Sequence, residues 1–261
     1  MNPFAKLHEG PEILILPNAW DAGSARLTEV AGAKAIATSS AAVAWANGYP
    51  DGEALPFDLL LGTVREIARM ISVPLTADVE AGYADDGAAA AESVMRVRDA
   101  GATGINIEDG TSSPDLLCAK IERIKTRLGD DIWINARTDV YLHNLASGEA
   151  AYEETIKRAR RYREAGADSI FVPMAAEDAL IVRLVAAIDV PLNLLAWAGL
   201  PPAARLKEIG VRRLSAGSGV ARMSQNRTFE LARDFLADGR SEPLTAPLSI
   251  PGGLNAIMRR G

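Results

Sequence analysis

Residues 74–83, Pro-Leu-Thr-Ala-Asp-Val-Glu-Ala-Gly-Tyr, combine a short apolar run with two carboxylates and a glycine. Side chains two positions apart on a strand point to the same side, so we expect Asp78 and Glu80 to share one face. Two neighbouring acids repel unless a cation lies between them, and Mg2+ is a hard cation that takes oxygen ligands. The stretch therefore predicts a metal site, and the alternative is a solvated loop with two unrelated acids.

Other polar groups follow β-prone runs elsewhere in the chain. Arg137 carries a planar fork that matches a carboxylate, so we expect it to clamp the carboxylate of a substrate. The backbone N–H groups of the segment from Ser39 to Ala41 are candidates to hold an oxyanion. Asp51 and Glu108 add two further carboxylates. Together these groups predict a site for a small acidic molecule.

Ordinary structural roles remain open for some of these polar residues. Asp21 is also a suitable cap for the helix that begins after it, and Asp109 is a suitable cap for a turn. Asp139 is close enough in sequence to pair with Arg137. The run at 215–219, Ser-Ala-Gly-Ser-Gly, fits a simple turn and is a weak signal for a phosphate cradle.

A weak internal repeat predicts the elements that position these groups. Four times a helical pattern ends at a glycine and a β-prone run follows, because glycine tolerates the left-handed conformation past a helix end. These glycines are Gly32, Gly101, Gly166 and Gly210. Valine–proline pairs at 73–74 and 190–191 mark two further strand starts. The apolar runs at 13–16 and 132–136 complete a set of eight predicted strands.

Amphipathic patterns between the strands predict the helices. They lie at about 21–31, 56–71, 87–100, 115–128, 149–165, 176–187, 202–209 and 219–237. Alternating strands and helices predict parallel pairing, and eight such units fit an α/β fold of the (β/α)8 TIM barrel type. A doubly wound open sheet is the alternative, but no G-x-G-x-x-G motif follows a strand. We expect the barrel over 1–240 and a C-terminal extension over 241–261, packed on the barrel or on a neighbouring subunit.

In such a barrel the catalytic groups lie at the carboxyl ends of the strands. Four acids then converge on one mouth, with Arg137 as the nearest cation. They are Asp51, Asp78, Glu80 and Glu108. This set fits a Mg2+ ion that keeps several waters, and Mn2+ is an alternative.

Composition narrows the class of protein. The 261 residues are 48% hydrophobic and 24% charged, which is ordinary for a globular protein with a sizeable core. The net charge of −6 and the absence of a basic run disfavour nucleic acid and anionic membranes as partners. One cysteine and two histidines make a zinc site improbable. Residues 1–6 lack a basic-then-apolar signal pattern, so we expect a cytoplasmic protein.

Six segments, in this order, resemble the isocitrate lyase/phosphoenolpyruvate mutase superfamily. They lie at 18–22, 39–40, 48–52, 78–83, 107–109 and 135–139. The resemblance implies a (β/α)8 barrel with a C-terminal helical extension that is swapped between subunits. A homo-oligomer (dimer or, more usually, homotetramer), Mg2+ and a small 2-oxo acid or carboxylate ligand are implied as well. It also implies that Asp78 is the direct metal ligand, and that Asp51, Glu80 and Glu108 hold metal-bound waters.

The same comparison, together with the polar residues of the predicted strands, supplies a set of substrate-binding candidates. These are Asn18, Trp20, Ser39, Ser40, Ala41, Asp51, Arg137 and Asn193. Within the set, Arg137, Ser39 and Ser40 are the catalytic candidates. The resemblance implies that Arg137 binds a carboxylate or phosphonate, and that the segment from Ser39 to Ala41 holds an oxygen of the substrate.

The chain departs from the superfamily after the fourth predicted strand. Isocitrate and methylisocitrate lyases carry a Lys-Lys/Arg-Cys-Gly-His loop there, whose cysteine serves in proton transfer. Here residues 109–118 read Asp-Gly-Thr-Ser-Ser-Pro-Asp-Leu-Leu-Cys. Cys118 falls inside a helical pattern, which favours a buried structural role over a catalytic thiol. The Lys/Asn loop of the phosphonate mutases is also missing.

These observations favour a Mg2+-dependent lyase that acts on a small 2-oxo acid or related carboxylate through an enolate-like intermediate. C–C cleavage and decarboxylation both fit, and decarboxylation needs no cysteine acid at the cleavage step. One alternative is P–C chemistry of the phosphonopyruvate hydrolase or mutase type, which needs a further cation or a set of polar groups for the phosphonyl group. The other is a weakly active barrel that binds a 2-oxo acid.

Overall fold

A computed structural model describes residues 2–247 and 249–259, which form a parallel barrel. Its strands are β1 Leu14–Leu16, β2 Asn18–Ala19, β3 Ile36–Thr38, β4 Leu75–Asp78, β5 Gly104–Glu108, β6 Trp133–Arg137, β7 Ser169–Val172, β8 Leu192–Leu195 and β9 Arg213–Ser215. β1 pairs with β9 and β2 pairs with β3, so the two ends of the sheet meet at Pro17. The first barrel strand is thus split by a residue without an N–H group. The predicted (β/α)8 TIM barrel is confirmed.

Helices surround the strands in the described part of the chain. They are α1 Pro3–Lys6, α2 Ala22–Val30, α3 Ser40–Ala46, α4 Phe57–Met70, α5 Gly87–Asp99, α6 Pro114–Leu128, α7 Gly148–Ala165, α8 Asp178–Ala187, α9 Ala203–Ile209, α10 Gly219–Asp238 and α11 Leu254–Ile257. Short 3-10 turns lie at Gly129–Asp131 and Glu242–Leu244. Among the described residues, no helix is both long enough and apolar enough to cross a bilayer.

The eight predicted helices match α2 and α4 to α10 with ends shifted by at most two residues. Gly166 and Gly210 cap α7 and α9 in the left-handed conformation, with φ of 113° and 109°. Sequence patterns did not predict α3. Its sequence, Ser-Ala-Ala-Val-Ala-Trp-Ala, lacks a polar face, and Val43 is fully buried there. A helix covered on several sides shows no amphipathic period, so pattern analysis does not recognise it.

The segment after residue 240 returns to the barrel of its own chain. Arg26 Nε on α2 donates a hydrogen bond to the carbonyl of Ile257, at 2.8 Å, and Ile257 is buried. Leu248, Arg260 and Gly261 of the predicted extension lie outside the described residues. The boundary at residue 240 and the exchange between subunits stay predictions.

The amino-terminal end of the barrel is covered by α1. Phe4 is fully buried with Leu14 and Leu16 of β1. The guanidinium of Arg213, at the start of β9, lies 5.5 Å from the centre of the Phe4 ring. Arg213 is fully buried, and its Nε and Nη1 have no hydrogen-bond partner among the described residues. Burial lowers its pKa to about 9, because a buried charge without an acid partner is costly.

A chain of hydrogen bonds runs through the barrel interior above Arg213. Its Nη2 donates to Asn106 Oδ1 at 3.1 Å, and Asn135 Nδ2 donates to the same oxygen at 2.8 Å. Ser169 Oγ donates to Asn135 Oδ1 at 2.8 Å, and Trp133 Nε1 donates to Ser169 Oγ at 2.8 Å. Because buried polar groups need partners, this network fixes the orientation of the Asn106 side chain.

The buried His8 links the stability of this end of the barrel to pH. Its ring stacks on Trp133 with centroids 4.6 Å apart, and Nδ1 donates to the Phe4 carbonyl at 3.1 Å. Burial, with the charge of Arg213, lowers the pKa of His8 from 6.5 to about 4. Between pH 4 and pH 6.5 the unfolded chain therefore binds a proton at His8 more readily than the folded chain does. The contribution to stability is complete above pH 6.5 and is lost as the pH falls towards 4.

We expect this linkage to remove about 2 kcal/mol of unfolding free energy between pH 7.5 and pH 5. Urea unfolding at both pH values measures it. A His8→Phe variant should lose less stability over that interval, because no imidazole remains to be protonated. His143→Phe is the matched control, since His143 is exposed. An equal pH dependence in His8→Phe and the wild type would show that another group is responsible.

Candidate active site

A cavity of about 290 Å3 opens at the carboxyl ends of the barrel strands. Its polar lining consists of Asn18, Ser39, Ser40, Asp51, Asp78, Asn106, Arg137, Ser215 and Ser218. Its apolar side chains are Ala41, Leu142, Phe171, Pro173, Met174, Leu195, Trp197 and Ala216. Seven of the predicted site residues therefore share one cavity: Asn18, Ser39, Ser40, Ala41, Asp51, Asp78 and Arg137.

Asp78 is the last residue of β4 and is only 8% exposed. Its backbone N–H donates to Thr38 Oγ1 at 2.8 Å, and its Oδ2 accepts from the Ser40 N–H at 3.0 Å. Its Oδ1 is buried and lacks a hydrogen-bond partner within the described residues. Burial raises the pKa of this carboxyl group, and the charge of Arg137 opposes the rise. Asp78 thus presents a buried oxygen that needs a proton or a cation.

Glu80 does not share the direction of Asp78 as the strand pattern predicted. β4 ends at Asp78, and Glu80 has a left-handed backbone with φ of 51°. Its side chain therefore leaves the strand alternation and does not line the cavity. Its Oε2 accepts from the Glu53 N–H at 2.6 Å, and its Oε1 accepts from the Tyr83 hydroxyl at 3.3 Å. The expectation that both acids lie on one strand face was wrong, because the strand stops between them.

The charge of Glu80 still belongs to the acidic mouth of the barrel. Burial raises its pKa to about 7, and the charges of Asp78 and Asp51 add to the rise. Lys120 on α6 is buried and donates to the carbonyl of Ala81 at 2.8 Å, next to Glu80. This bond ties α6 to the loop that carries Glu80.

Arg137 ends β6 beside two acids. Register places Glu108 of β5 directly opposite Arg137, and Arg137 Nη1 lies 2.5 Å from Glu108 Oε2. This contact is an ion pair between the two side chains. Arg137 also donates to both oxygens of Asp139, at 2.6 Å and 2.9 Å. The pairing of Asp139 with Arg137, one of the open alternatives, is what the structure shows.

Burial shifts the proton equilibria of this cluster. It raises the pKa of Glu108 well above its ordinary value, against the effect of Arg137. Burial alone would lower the pKa of Arg137, but Glu108 and Asp139 raise it overall. Arg137 therefore stays charged, while two carboxylates compete for it. Of its five N–H donors, those not used by the two acids remain available to a ligand.

Asp109 anchors this end of the barrel from the outer side. Its Oδ1 accepts from the Asp139 N–H at 2.9 Å. Its Oδ2 accepts from Arg158 Nη1 at 2.9 Å and from the Tyr162 hydroxyl at 2.5 Å, both on α7. Asp109 thus links α7 to the residue that holds Arg137. The Asp109 side chain therefore anchors α7 and does not cap a turn, which was the alternative that the sequence left open.

The structure does not bring every predicted residue to the cavity. Trp20 is half-buried and packs against the core, and Asn193 is fully buried in the barrel, where its Oδ1 accepts from Ser215 Oγ at 2.9 Å. Glu108 does not line the cavity but reaches it through Arg137. The predicted roles of these three residues stay predictions, with Trp20 and Asn193 placed for packing.

Sequence reasoning missed Asn106 and the apolar wall. Asn106 lines the cavity, and its Oδ1 is held by Asn135 and Arg213, which turns the amide nitrogen the other way. A polar residue two positions before Glu108 in an apolar strand was the available signal. The apolar wall follows β7 and β8 and includes Phe171 and Leu195. Apolar residues at strand ends carry no signal of their own, since they also fit a core.

The donor set suits a hard cation with few direct protein ligands. Among the described residues, no three Asp, Glu, His or Cys side chains come together as a complete metal-binding group. Mg2+ is commonly held by one or two carboxylates and keeps several waters. The unpartnered Oδ1 of Asp78, beside the raised pKa values of Glu80 and Glu108, fits that mode of binding.

Comparison with known proteins places this site in a family. Residues 4–236 match the family model described as phosphoenolpyruvate phosphomutase. The chain belongs to the phosphoenolpyruvate phosphomutase family. Its predicted membership of the isocitrate lyase/phosphoenolpyruvate mutase superfamily is thereby confirmed.

Relatives and solved structures of this family agree. An uncharacterized protein of Mycobacterium tuberculosis is 35% identical over 248 residues, which cover 94% of this chain and 92% of that protein. A Corynebacterium glutamicum protein provisionally named 2-methylisocitrate lyase 2 is 29% identical, over 88% of this chain and 78% of that protein. A crystal structure from Burkholderia cenocepacia J2315, provisionally assigned as a phosphonomutase, is 38% identical with a TM-score of 0.83. It covers 88% of this chain and 97% of that one.

The role of Asp109 is open to a direct test. Asp109→Asn keeps the size of the side chain but removes the charge that partners the buried Arg158. We expect a loss of about 1–3 kcal/mol in unfolding free energy, because the amide cannot accept from the Asp139 N–H, Arg158 and Tyr162 at once, while Arg158 keeps its ion pair with Glu154. Urea denaturation measures it. Asp115→Asn is the matched control, since its ion pair with Arg161 is exposed, and it should change stability little. Equal effects of the two substitutions would refute the anchoring role.

Proposed function

We propose that the protein is a Mg2+-dependent lyase that acts on a small 2-oxo acid or a related carboxylate. The observation that carries the proposal is the buried, unpartnered Oδ1 of Asp78 in the same cavity as Arg137. A lone acid would repel a carboxylate ligand, and a lone arginine would bind many anions without activating them. A divalent cation at Asp78 combines the two into one site for a chelating acid.

The chain offers one direct ligand and three more distant acids for this ion. Asp78 would bind it directly, while Asp51, Glu80 and Glu108 would hold its waters. When bound, Mg2+ supplies a Lewis acid that stabilises negative charge on a carbonyl oxygen. Outer carboxylates matter for such a site, because they orient the waters and tune the affinity.

Residues of the chain orient the substrate in this proposal. Arg137 receives the carboxylate with the N–H donors that Glu108 and Asp139 leave available. The backbone around Ser40 and the amide of Asn106 offer hydrogen bonds to further oxygens of the ligand. Donors held in place before the reaction stabilise the charge that develops on the substrate oxygen at little cost of reorganisation.

Proton transfer limits the choice of reaction. Cys118 lies on α6, is half-buried, and does not line the cavity. Burial raises the pKa of its thiol, so it is a poor thiolate. Decarboxylation releases CO2 and allows solvent to protonate the product, so this chemistry needs no cysteine. We therefore place decarboxylation, or cleavage of a small C–C bond, ahead of isocitrate-type cleavage.

The alternatives make different demands on the cavity. A phosphonyl group carries more negative charge than a carboxylate, and Arg137 is the one cation among the described lining residues. That charge balance disfavours P–C chemistry. A barrel that binds a 2-oxo acid without turnover fits the same lining, and activity alone separates it from a lyase.

The first experiment measures turnover and binding together. The protein is incubated with Mg2+ and oxaloacetate, 2-methylisocitrate or phosphonopyruvate, and pyruvate formation is followed beyond the uncatalysed rate. Oxalate binding is measured by calorimetry with and without Mg2+. Turnover of oxaloacetate or 2-methylisocitrate supports the lyase, turnover of phosphonopyruvate supports P–C chemistry, and Mg2+-dependent oxalate binding without turnover supports the binding protein. If neither occurs, the proposed metal and carboxylate site is wrong.

Asp78→Asn tests the metal assignment. We expect oxalate binding in the presence of Mg2+ to weaken at least about 100-fold, because even outer partners of a metal site contribute about 10- to 100-fold. Calorimetry measures the change. Asp131→Asn is the matched control, because Asp131 precedes β6 at the opposite end of the barrel and is exposed. Unchanged binding by Asp78→Asn would remove Asp78 from the metal site.

A further inference from the structure

One arginine spans the interior of the barrel beneath the cavity. With β1 and β2 counted as one position in the ring, strand order places β9, which begins at Arg213, across from β5, which carries Asn106. Arg213 is fully buried, and its Nη2 donates to Asn106 Oδ1 at 3.1 Å. On the amino-terminal side, the centre of the Phe4 ring lies 5.5 Å from its guanidinium. Arg213 therefore lies between the aromatic cover of the barrel and a residue that lines the cavity.

Packing alone does not explain an arginine at this position. Its Nε and Nη1 have no partner among the described residues, and its Nη2 bonds to a neutral amide. Burial lowers the pKa of Arg213 to about 9, and the charge of Asp78 opposes that effect, so the side chain is protonated at neutral pH. Replacing buried ionic groups by apolar side chains of similar volume is often neutral or stabilising. A methionine would therefore fill the same space at less cost, which indicates that the charge has another role.

The amide of Asn106 connects this charge to the cavity. Its Oδ1 accepts from Asn135 Nδ2 at 2.8 Å and from Arg213 Nη2 at 3.1 Å. Two donors use both lone pairs of the oxygen, and a flipped amide would set its own N–H groups against them. The amide nitrogen is thus left to donate towards the cavity, where none of the described residues accepts from it. A hydrogen bond from a cation to Oδ1 polarises the amide and strengthens the next bond in the chain.

Asn106 is placed where a ligand oxygen gains negative charge in the proposed reaction. The register of β4 and β5 pairs Asn106 with Asp78, and both residues line the cavity. An oxygen of a ligand held at Asp78 therefore lies on the side that the Asn106 amide faces. Hydrogen bonds to a charged oxygen are about twice as strong as those to a neutral one. A polarised amide at this position favours the enolate-like state over the neutral carbonyl.

We infer that Arg213 is a positioning residue, which orients and polarises the Asn106 amide so that this amide stabilises negative charge on an oxygen of the ligand. The inference rests on the proposed function for the presence of that oxygen. It goes beyond the proposed function by giving a part in the reaction to a side chain that does not line the cavity. A residue with this role discriminates between a charged and a neutral oxygen, whereas a residue that only fills the barrel does not.

Two ligands of similar size separate these roles. Oxalate and pyruvate each carry a carboxylate beside a second oxygen, which shares a negative charge in oxalate and is a neutral carbonyl in pyruvate. Calorimetry with saturating Mg2+ measures both affinities in the wild type and in Arg213→Met. A hydrogen bond to a charged group contributes about 10- to 100-fold in affinity, and Arg213 strengthens such a bond without making it, so we expect oxalate binding to weaken about five- to tenfold. Pyruvate binding should weaken by less than about twofold. An equal change in both affinities, or no change, would overturn the inference.

Stability measurements on the same variant address a purely structural role. Because Arg213→Met removes a buried charge without an acidic partner, we expect the unfolding free energy in urea to stay equal or to rise. Arg212→Met is the matched control, since Arg212 is half-buried and lines an outer cleft with Val185 and Gly210. It should leave both affinities unchanged. A loss of stability in Arg213→Met with an unchanged ratio of the two affinities would show that Arg213 serves packing alone.

A double-mutant cycle tests whether the effect passes through Asn106. In an Asn106→Leu background the amide is missing, so Arg213→Met should no longer change the ratio of oxalate to pyruvate affinity. The two substitutions are then non-additive, as expected for groups that act in one chain. Asn106→Ala takes the place of Asn106→Leu if the leucine variant does not fold. An equal effect of Arg213→Met with and without the amide would show that the charge acts directly through space, which would overturn the positioning role.

The outcomes separate this inference from the proposed function. If oxalate does not bind to the wild type with Mg2+, the proposed site is wrong and the inference falls with it. If oxalate binds and Arg213→Met keeps the ratio of the two affinities, the proposed function stands and the inference alone is overturned. Oxalate binding in the wild type, together with a selective loss in Arg213→Met that depends on Asn106, supports both.

Discussion

An excess of buried carboxylates over cations at the mouth of the barrel is the constraint on which the site depends. Asp78, Glu80, Glu108 and Asp139 are withdrawn from water. Arg137 is the cation beside Asp78, Glu108 and Asp139, and Glu80 lies close enough to Asp78 to feel its charge. One guanidinium cannot neutralise four acids, and burial consequently raises the pKa of the first three. A folded protein keeps such an arrangement at a cost in stability. Buried and incompletely neutralised acids of this kind are typical of functional sites, where perturbed pKa values cluster.

The surrounding fold holds this unfavourable arrangement in place from two directions. Below the site, hydrogen bonds from Arg213 and Asn135 fix Asn106. Outside the site, Arg158 and Tyr162 on α7 hold Asp109 against the loop after β6. Neither network contributes a group to the acidic mouth, yet both restrict how the strand ends can move. Separating the acids would therefore require breaking buried hydrogen bonds, and a cation or a proton is the alternative way to balance their charge.

Much of this architecture follows from local sequence patterns, and the rest depends on tertiary geometry. Helix ends at Gly166 and Gly210 were predictable because the left-handed cap is a property of the residue itself. The barrel followed from counting alternating units. Glu80 was misjudged because an assumed strand continued past Asp78, where the backbone turns left-handed. The role of Asn193 could not be decided from the sequence, because a polar residue on a strand near the mouth also fits a hydrogen bond within the barrel, such as the one that its Oδ1 accepts from Ser215.

The two kinds of residue in the cavity carry different information about chemistry. Acids and an arginine at strand ends stand out in a sequence, because burying a charged side chain is costly and needs a structural or functional reason. These charged side chains determine which head group of a ligand the site can bind. Phe171 and Leu195 are inconspicuous, because apolar residues after strands are the normal content of a core. Their meaning appears only when strand order places β8 opposite β4. The acids and the arginine can therefore be recognised before the fold is known, whereas the contacts of the apolar residues depend on the strand order that brings them together.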